Sequence, residues 1–268
     1  MLFIYTGLQS GLYAKDPVAK LKIYRFGVVP QFEQRKIFRI WVPIIERLEK
    51  DTGLRFELVG SDQIPTFETR FLAGEFDFAY MNPYHVLRAN NKQGYIPLVR
   101  DGIRKLQGII VVRKDSAIKE VNDLKSVVVA FPSARALGAS LLPRSELKKI
   151  DIIVNPRYVK THSSVYLHVA QKLAVAGGGV QSTLNHQKPE VRNLLRVVFR
   201  TQSYTPHPIV AHPRVTKQDI IKVREAFLKM GQTEDGRALL AKIPMKSIAP
   251  AKLRHYNAVK RLKLERLQ

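Results

Sequence analysis

Two patterns of apolar residues alternate along the first part of the chain: short continuous runs, and repeats at every third or fourth position. Short apolar runs predict buried strands, and segments whose apolar residues recur every three or four positions predict helices. From residue 22 the order is strand, helix, strand, helix, strand, helix: KIYRFGVV, QRKIFRIWVPIIERLEKDTG, LRFELVG, IPTFETRFLAGE, FDFAY and PYHVLRANN. This order is typical of an α/β layer with a mostly parallel sheet.

Proline and glycine divide these elements. Pro43 lies inside the first helical pattern and predicts a kink or a restart there. Gly53 and Gly74 predict the ends of the first and second helices.

The second half of the chain repeats this style. Two strands, YIPLVRDG and LQGIIVVRKDS, come first, and their edges are natural places for a crossing between lobes. There follow the strand SVVVAF, the helix PSARALGASLLPRSELKK split at Pro143, the irregular or extended IDIIVNPRYV, the helix SSVYLHVAQKLA, the strand or loop VAGGGV, the strand LLRVVFRTQ, the extended TPHPIVAHPRV and a long amphipathic helical segment broken near Gly231.

We therefore predict two α/β lobes, each a mostly parallel mixed sheet flanked by helices, with a ligand cleft between them. The first lobe is predicted to comprise residues 21–104 and 205–268, and the second lobe residues 105–204. Residues 1–20 are expected to be a signal remnant or an N-terminal arm. This start is typical of a secretory signal or a clipped one, but it lacks the basic residues with which a full signal begins.

The composition of the chain limits which kinds of chemistry and which partners are possible. The 268 residues are 45% hydrophobic, which is enough for a substantial core, and the chain has no cysteine, which excludes disulfides and thiolate chemistry. No apolar run approaches the ~20 residues of a membrane-spanning helix. The net charge of +23 fits nucleic acid, an anionic membrane surface or an anionic ligand as a partner. The basic C-terminal stretch AKLRHYNAVKRLKLERLQ is interpreted as a solvated helix face rather than a nucleic-acid stripe.

Four predicted strand-to-helix junctions carry groups that suit an anion. Ligands of α/β sheets lie at the carboxyl ends of strands, where the N–H groups of the next helix and its dipole favour negative charge. In the first junction Asn82 is a good helix cap and Pro83 a good first helical residue. The candidate ligand-binding residues are Tyr80, Asn82, Tyr84, Ser133, Ala134, Arg135, His162, Ser163, Ser164, Tyr166 and Gly178.

Each of these residues also has an ordinary structural explanation. Ser133 and Asn82 are common helix caps, Arg135 can be a surface charge, and the triple glycine around Gly178 can be a tight turn. It is the combination of four such junctions that favours a binding site. Ser133 is predicted to cap its helix, and Arg135 is predicted either to anchor an anion or to face solvent.

No catalytic or metal pattern is present. The seven histidines show no zinc spacing, and the chain has no nucleophile elbow, phosphate loop or dinucleotide fingerprint. No pair of carboxylates stands out for acid–base work. We therefore expect neither an enzyme nor a bound metal or cofactor.

Several segments resemble one known family. RFGVVPQFEQRKIFRIWVPIIERLEKDTG, FLAGEFDFAYMNPYHV, IIVVRKDSAIKEVNDLK, THSSVYLHVA and EDGRALLAKI are similar to the phosphate, phosphite and phosphonate-binding proteins of ABC importers, from about residue 21 to about residue 243. The resemblance implies a two-lobed type II periplasmic solute-binding fold that closes by a hinge on an oxyanion and delivers it to a membrane permease. By the resemblance, the family's tyrosine matches Tyr80, with Tyr84 nearby, its hydroxyl-rich turn falls at Ser133 and its histidine matches His162.

The chain departs from this family at two kinds of position. Ala134 and Arg135 follow Ser133 in place of two hydroxyl residues. Ser163 replaces an acidic residue, and a second acidic position of the family falls in 177–179. In the family these two acidic residues meet an amino group of the ligand, so the resemblance implies that their loss argues against an aminoalkylphosphonate.

We therefore expect a periplasmic, monomeric importer component that binds a small oxyanion and an ABC permease, and no nucleic acid. One alternative is a ligand-sensing module of the same fold that acts on a receptor or kinase. A weaker alternative, suggested only by charge, is a nucleic-acid-binding protein.

Overall fold

The structure is a computed structural model that describes residues 22–243 and 245–264. The predicted N-terminal arm or signal remnant lies outside the described residues. The strands are β1 (Ile23–Val28), β2 (Arg55–Val59), β3 (Phe78–Tyr80), β4 (Ile96–Asp101), β5 (Leu106–Arg113), β6 (Val128–Phe131), β7 (Asn155–Tyr158), β8 (Ala176–Val180), β9 (Leu195–Tyr204), β10 (Pro208–Ala211) and β11 (Ile248–Pro250). The helices are α1 (Gln34–Thr52), α2 (Ile64–Leu72), α3 (Pro83–Gln93), α4 (Leu142–Lys148), α5 (His162–Ala170), α6 (Gln181–Asn185), α7 (Pro189–Arg192), α8 (Lys217–Met230), α9 (Glu234–Leu240) and α10 (Asn257–Lys260).

These strands form two mixed sheets. The six-stranded sheet has the order β11-β4-β10-β3-β1-β2, and the five-stranded sheet has the order β7-β6-β8-β5-β9. Neighbours β2, β1 and β3 are parallel, as are β7, β6 and β8, whereas β10, β4, β11, β5 and β9 pair antiparallel. The prediction of two mixed α/β layers is confirmed. The sheets are less parallel than predicted, because five of the nine pairings between the described strands are antiparallel.

The part of the molecule built on the six-stranded sheet is called the first lobe, and the part built on the five-stranded sheet the second lobe. The chain passes between the sheets twice, between β4 and β5 at residues 102–105 and between β9 and β10 at residues 205–207. The predicted limits 104/105 and 204/205 fall at these two crossings. How the lobes divide as rigid bodies stays a prediction.

Several helices begin and end at the residues that local sequence rules predict. Asn82 caps α3 with its side chain, and Thr161 caps α5 in the same way, as Ser, Thr and Asn do at helix starts. Gly53 ends α1 in the left-handed region at φ 71°, as predicted.

Two local predictions need correction. First, α1 runs through Pro43 without a restart, because Trp41, Ile44 and Leu48 are buried against the sheet and outweigh one lost hydrogen bond. The alternative of a kink at Pro43 stays a prediction. Second, residues 132–136 are a turn rather than a helix, so Ser133 caps no helix.

The segment that follows Ser133 winds as a π-helix from Leu137 to Leu141 before α4 begins. Its wide turn lies directly on the second sheet. A Cβ atom at Gly138 would come within 2.5 Å of Val180 in β8 and 2.9 Å of Leu106 in β5. This close approach to the sheet outweighs the regular helical spacing of the sequence.

Within the part of the chain that the structure describes, four apolar clusters of buried residues hold the fold together. The largest fills the first lobe and includes Phe26, Trp41 and Phe78. Two more fill the second lobe. The fourth joins the lobes, because Tyr84 of α3 and Val259 of α10 lie in one cluster with Leu137 of the second lobe. Among the described residues, no helix combines the length and the apolarity needed to cross a membrane.

Candidate functional site

The carboxyl ends of the central strands of both sheets face each other. β1 and β3 of the first lobe lead into Gln31 and Asn82, and β8 of the second lobe leads into Gln181. The lobes are in contact here, because the backbone N–H of His162 donates to the carbonyl oxygen of Gln31 at 3.2 Å. A second contact runs from Nζ of Lys36 in α1 to the carbonyl oxygen of His186 at 3.1 Å.

A small cavity lies between these strand ends. Its volume is about 10 Å³, which is room for about one water molecule. Gln31 and Asn82 line it from the first lobe, His162 and the Gly138 segment line it from the second, and His207 lines it from the crossing between β9 and β10. Of the predicted site residues, Asn82 and His162 therefore lie around one cavity, and Gln31 and His207 join them unpredicted.

Asn82 is held rigidly by the helix that it caps. The Oδ1 of Asn82 accepts a hydrogen bond from the backbone N–H of His85 at 2.9 Å, and the Nδ2 of Asn82 lies 3.1 Å from the ring Nε2 of His85. The side chain is buried. The first turn of α3 is thus fixed relative to the cavity.

His162 begins α5 and is fully enclosed. Its Nδ1 lies 3.0 Å from Oγ1 of Thr183. Burial lowers its pKa to about 3, so the ring is neutral at pH 7. A neutral ring can donate or accept one hydrogen bond at each nitrogen, but it carries no charge toward an anion.

His207 belongs to the same enclosed region. Its ring is stacked on that of Tyr80, with centroids 5.3 Å apart and an interplanar angle of 24°. Burial, followed by the proximity of His85 and His162, lowers its pKa to about 3. The sequence signal was a histidine between two prolines at a predicted lobe crossing.

Arg135 is paired with a carboxylate of the protein. Its Nη1 lies 2.8 Å from Oε2 of Glu68, which comes from α2 in the first lobe. Glu68 is buried and also contacts Nε2 of His85 and Nη1 of Arg88, each at 3.0 Å. Sequence reasoning missed Glu68, although it lies one turn after Ile64 on the buried side of α2, an unusual place for an unpaired carboxylate.

Two of the three predicted tyrosines, Tyr80 and Tyr84, do not line the 10 Å³ cavity. Tyr80 packs on Trp41 with ring centroids 5.1 Å apart, and its buried hydroxyl has no hydrogen-bond partner among the described residues. It lines a separate apolar cavity of about 20 Å³ between α1 and α6. Tyr84 belongs to the apolar cluster that joins the lobes.

Four further predicted residues lie at second-lobe turns and are not among those that line the cavity. Ser133 is buried, and its Oγ accepts from the backbone N–H of Arg135 at 3.3 Å, with Ala134 half-buried between them. Ser164 lies 2.8 Å from Oγ1 of Thr161 within the cap of α5, and Ser163 is half-buried beside it.

Tyr166 and Gly178 have close contacts inside the second lobe. The hydroxyl of Tyr166 donates to the carbonyl oxygen of Val180 at 3.0 Å and accepts from its N–H at 3.1 Å, which fixes the end of β8. A Cβ atom at Gly178 would lie 2.1 Å from the carbonyl oxygen of Ala139. Their direct contact with a ligand stays a prediction.

Two mixed α/β sheets, joined by two crossings and meeting at their strand ends, define a type II periplasmic binding fold. The chain belongs to the family described as ABC transporter, phosphonate, periplasmic substrate-binding protein, whose model matches residues 26–256. The predicted resemblance is therefore confirmed. Proteins of this family are periplasmic substrate-binding components of ABC transporters and not enzymes.

Individual relatives agree with this assignment. The phosphonates-binding periplasmic protein of Escherichia coli K12 is 20% identical over 259 residues, which cover 90% of this chain and 75% of that protein. A binding-protein component of an ABC phosphonate transporter from Pseudomonas aeruginosa superimposes with a TM-score of 0.81 at 15% identity, covering 91% and 87% of the two chains. PhnD1 of Prochlorococcus marinus, in complex with methylphosphonate, gives a TM-score of 0.82 at 14% identity, covering 91% and 98%. These structural similarities establish the fold.

Proposed function

We propose that this protein captures a small oxyanion of the phosphate, phosphite or phosphonate class between its lobes and presents it to an ABC permease in the membrane. One observation carries the proposal: Asn82 and His162, at the N-termini of α3 and α5, belong to different lobes and line the same buried cavity. Two helix N-termini converging on one point create a site for negative charge without any formal cation.

The groups around this cavity suit an oxyanion as hydrogen-bond partners. The backbone N–H of His162 is bound to the carbonyl oxygen of Gln31, and an oxyanion could replace that carbonyl as the acceptor. The neutral ring of His162 adds a further donor in one tautomer. Fixed dipoles of this kind act strongly in a dry cavity because they need no reorganisation when the anion enters.

An oxyanion is larger than the 10 Å³ cavity, so binding must separate the lobe contacts before they close again. The two crossings between the lobes provide the hinge for this motion. In this mechanism the bound anion favours the closed arrangement because it bonds to both lobes at once.

The residues of the second lobe favour a ligand without an amino group. Ser163 and the glycines of β8 offer no carboxylate to an ammonium group. Glu68, a buried carboxylate whose ion pair reaches the second lobe, is already compensated by Arg88 and Arg135. The relatives from E. coli, P. aeruginosa and P. marinus, whose names refer to phosphonates, support the same ligand class.

The test is titration calorimetry of the purified protein against phosphate, phosphite, methylphosphonate, sulfate and 2-aminoethylphosphonate. We expect one phosphorus oxyanion to bind selectively and the aminoalkylphosphonate to bind more weakly. Asn82→Ser keeps a helix cap but removes the amide, and should weaken that binding about tenfold. The exposed Asn193→Ser is the matched control. A protein that binds none of these anions would refute the proposed ligand class.

A further inference from the structure

A larger cavity lies beside the first, along the two crossings between the lobes. It has a volume of about 290 Å³. Arg104, Lys105 and His207 line it from the crossings, Gln31 from the first lobe, and Gln181 from the second. We call it the crossing groove.

The charge of the crossing groove is entirely positive. Arg104 and Lys105 line it, and no Asp or Glu is among its lining residues. Within the described ranges, neither cation has a carboxylate at ion-pair distance. The nearby carboxylate of Asp101 is occupied by backbone N–H groups, including those of Ile103 and Arg104 at 2.8 and 2.6 Å.

These bonds to Asp101 also fix the backbone that carries the cations. Asp101 is fully buried, and its second oxygen accepts from the backbone N–H of Lys246 at 2.6 Å. The turn before β5 is therefore tied to the first lobe, and its two cations are held beside the groove by a rigid backbone.

The groove adjoins the small oxyanion cavity. Gln31, Val180 and His207 line both. A ligand whose phosphoryl group occupies the small cavity can therefore extend its substituent past these three residues toward Arg104 and Lys105.

We propose that the crossing groove binds a second anionic group of the same ligand, so that the preferred substrate is a phosphonate or phosphate that also carries a carboxylate or another phosphoryl group. This inference rests on the proposed function. A ligand of this kind would contact both lobes and both crossings, and two unpaired cations would be compensated on binding.

The experiment compares methylphosphonate with phosphonoacetate, which adds one carboxylate, by titration calorimetry at pH 8 and fixed ionic strength. The wild type should bind phosphonoacetate about tenfold more tightly. The double variant Arg104→Gln/Lys105→Gln should lose this preference and retain most of its affinity for methylphosphonate. The double variant Lys148→Gln/Arg157→Gln, at exposed positions of the second lobe, lowers the net charge equally and should keep the preference.

The outcomes separate the two proposals. If methylphosphonate binds and phosphonoacetate has no advantage, or if its advantage survives in the Arg104/Lys105 variant, the crossing groove is not an anion site. If neither compound nor phosphate binds the wild type, the proposed oxyanion function fails, and this inference fails with it.

Discussion

Nη1 of Arg135 in the second lobe lies 2.8 Å from Oε2 of Glu68 in the first lobe, so that an ion pair spans the cleft. The two partners differ in environment, since the side chain of Glu68 is 3% exposed and that of Arg135 is 39% exposed. Glu68 also has Arg88 and His85 as partners on its own lobe. The carboxylate is therefore a fixed part of the first lobe, and Arg135 is the group that joins it when the lobes meet.

Arg135→Ala should shift the protein toward more open arrangements. Because Arg135 is partly exposed and Glu68 keeps two partners, we expect a change of about 1 kcal/mol in the equilibrium between lobe arrangements. The chain has no cysteine, so spin labels at Arg39→Cys and Lys188→Cys, exposed on α1 and beside α7, report the distance across the cleft. Pulsed electron resonance should give longer or broader distances than in the wild type.

The matched control for this variant is Arg157→Ala on β7, an exposed arginine with no ion pair among the described residues. Its distance distribution should equal that of the wild type. Equal distributions for Arg135→Ala and the wild type would show that the ion pair does not govern the lobe arrangement.

Glu68→Gln should change the response to acid. Burial alone would raise the pKa of Glu68, but its hydrogen bond and electrostatic interaction with His85, the hydrogen bond from Arg135 and the charge of Arg88 lower it to about 2, from an ordinary value of 4.5. A carboxyl whose pKa is lowered by folding stabilises the protein above pH 4.5, and this contribution is lost as the pH falls from 4.5 toward 2. The difference amounts to about 3 kcal/mol at pH 7.

Urea unfolding of the wild type and Glu68→Gln from pH 7 to pH 3 measures this effect. The variant should be less stable at pH 7, and the gap should narrow below pH 4.5. Glu190→Gln, exposed on α7 and without an ion pair among the described residues, controls for the loss of a charge. A gap that stays constant down to pH 3 would contradict the lowered pKa.

The elements that depend on local rules were predicted from the sequence. The alternation of strands and helices up to α3, the Asn82 cap and the αL end at Gly53 all depend on neighbours in the chain. The turn at 132–136 was not predicted, because it is set by Gly138 packing on β5 and β8, which are distant in sequence. Helical spacing cannot report a contact of that kind.

The candidate site was predicted only in part, for a similar reason. Asn82 and His162 were found because a helix start has a local signature. His207 and Gln31 reach the cavity from a crossing and a loop, where no periodic pattern applies. Arg135 was noticed, but its partner Glu68 is 67 residues away in the chain, and only the assembled lobes bring them together.

Gly178→Ala should destabilise the protein strongly even without ligand. The new Cβ would lie 2.1 Å from the carbonyl oxygen of Ala139 and 2.3 Å from the ring of Phe131, in a strand that is fully buried. Overpacking of this kind costs about 3 kcal/mol, because backbone rather than a flexible side chain must move. The measurement is the urea midpoint of the purified variant.

The comparison for this variant is Gly53→Ala, where no atom lies within 4 Å of the new Cβ but φ is +71°. Its cost should be about 1 kcal/mol, the ordinary penalty for alanine in the left-handed region. If Gly178→Ala were as mild as Gly53→Ala, the packing of β8 against the π-helical segment would be looser than described.

His207→Gln should make the protein less sensitive to mild acid. Burial and the neighbouring His85 and His162 lower the pKa of His207 to about 3, from an ordinary value of 6.5. Below pH 6.5 the histidine is therefore protonated in the unfolded chain but stays neutral in the folded protein. As the pH is lowered from 6.5 toward 3, the free energy of unfolding decreases. One histidine of this kind contributes a slope of about 1 kcal/mol per pH unit between pH 6 and pH 5.

Unfolding free energies at several pH values between 7.5 and 5 test this prediction through the slope rather than through the absolute stability, which the substitution also changes. The wild-type slope should reflect both His162 and His207, whose pKa values are both lowered to about 3 by burial, and the variant should lose about half of that contribution. Nuclear magnetic resonance of the His207 ring gives a direct check, since its signals should not titrate above pH 5. A ring that titrates near pH 6.5, or a slope unchanged by the substitution, would mean that solvent reaches His207 and that the cavity beside it is open in solution.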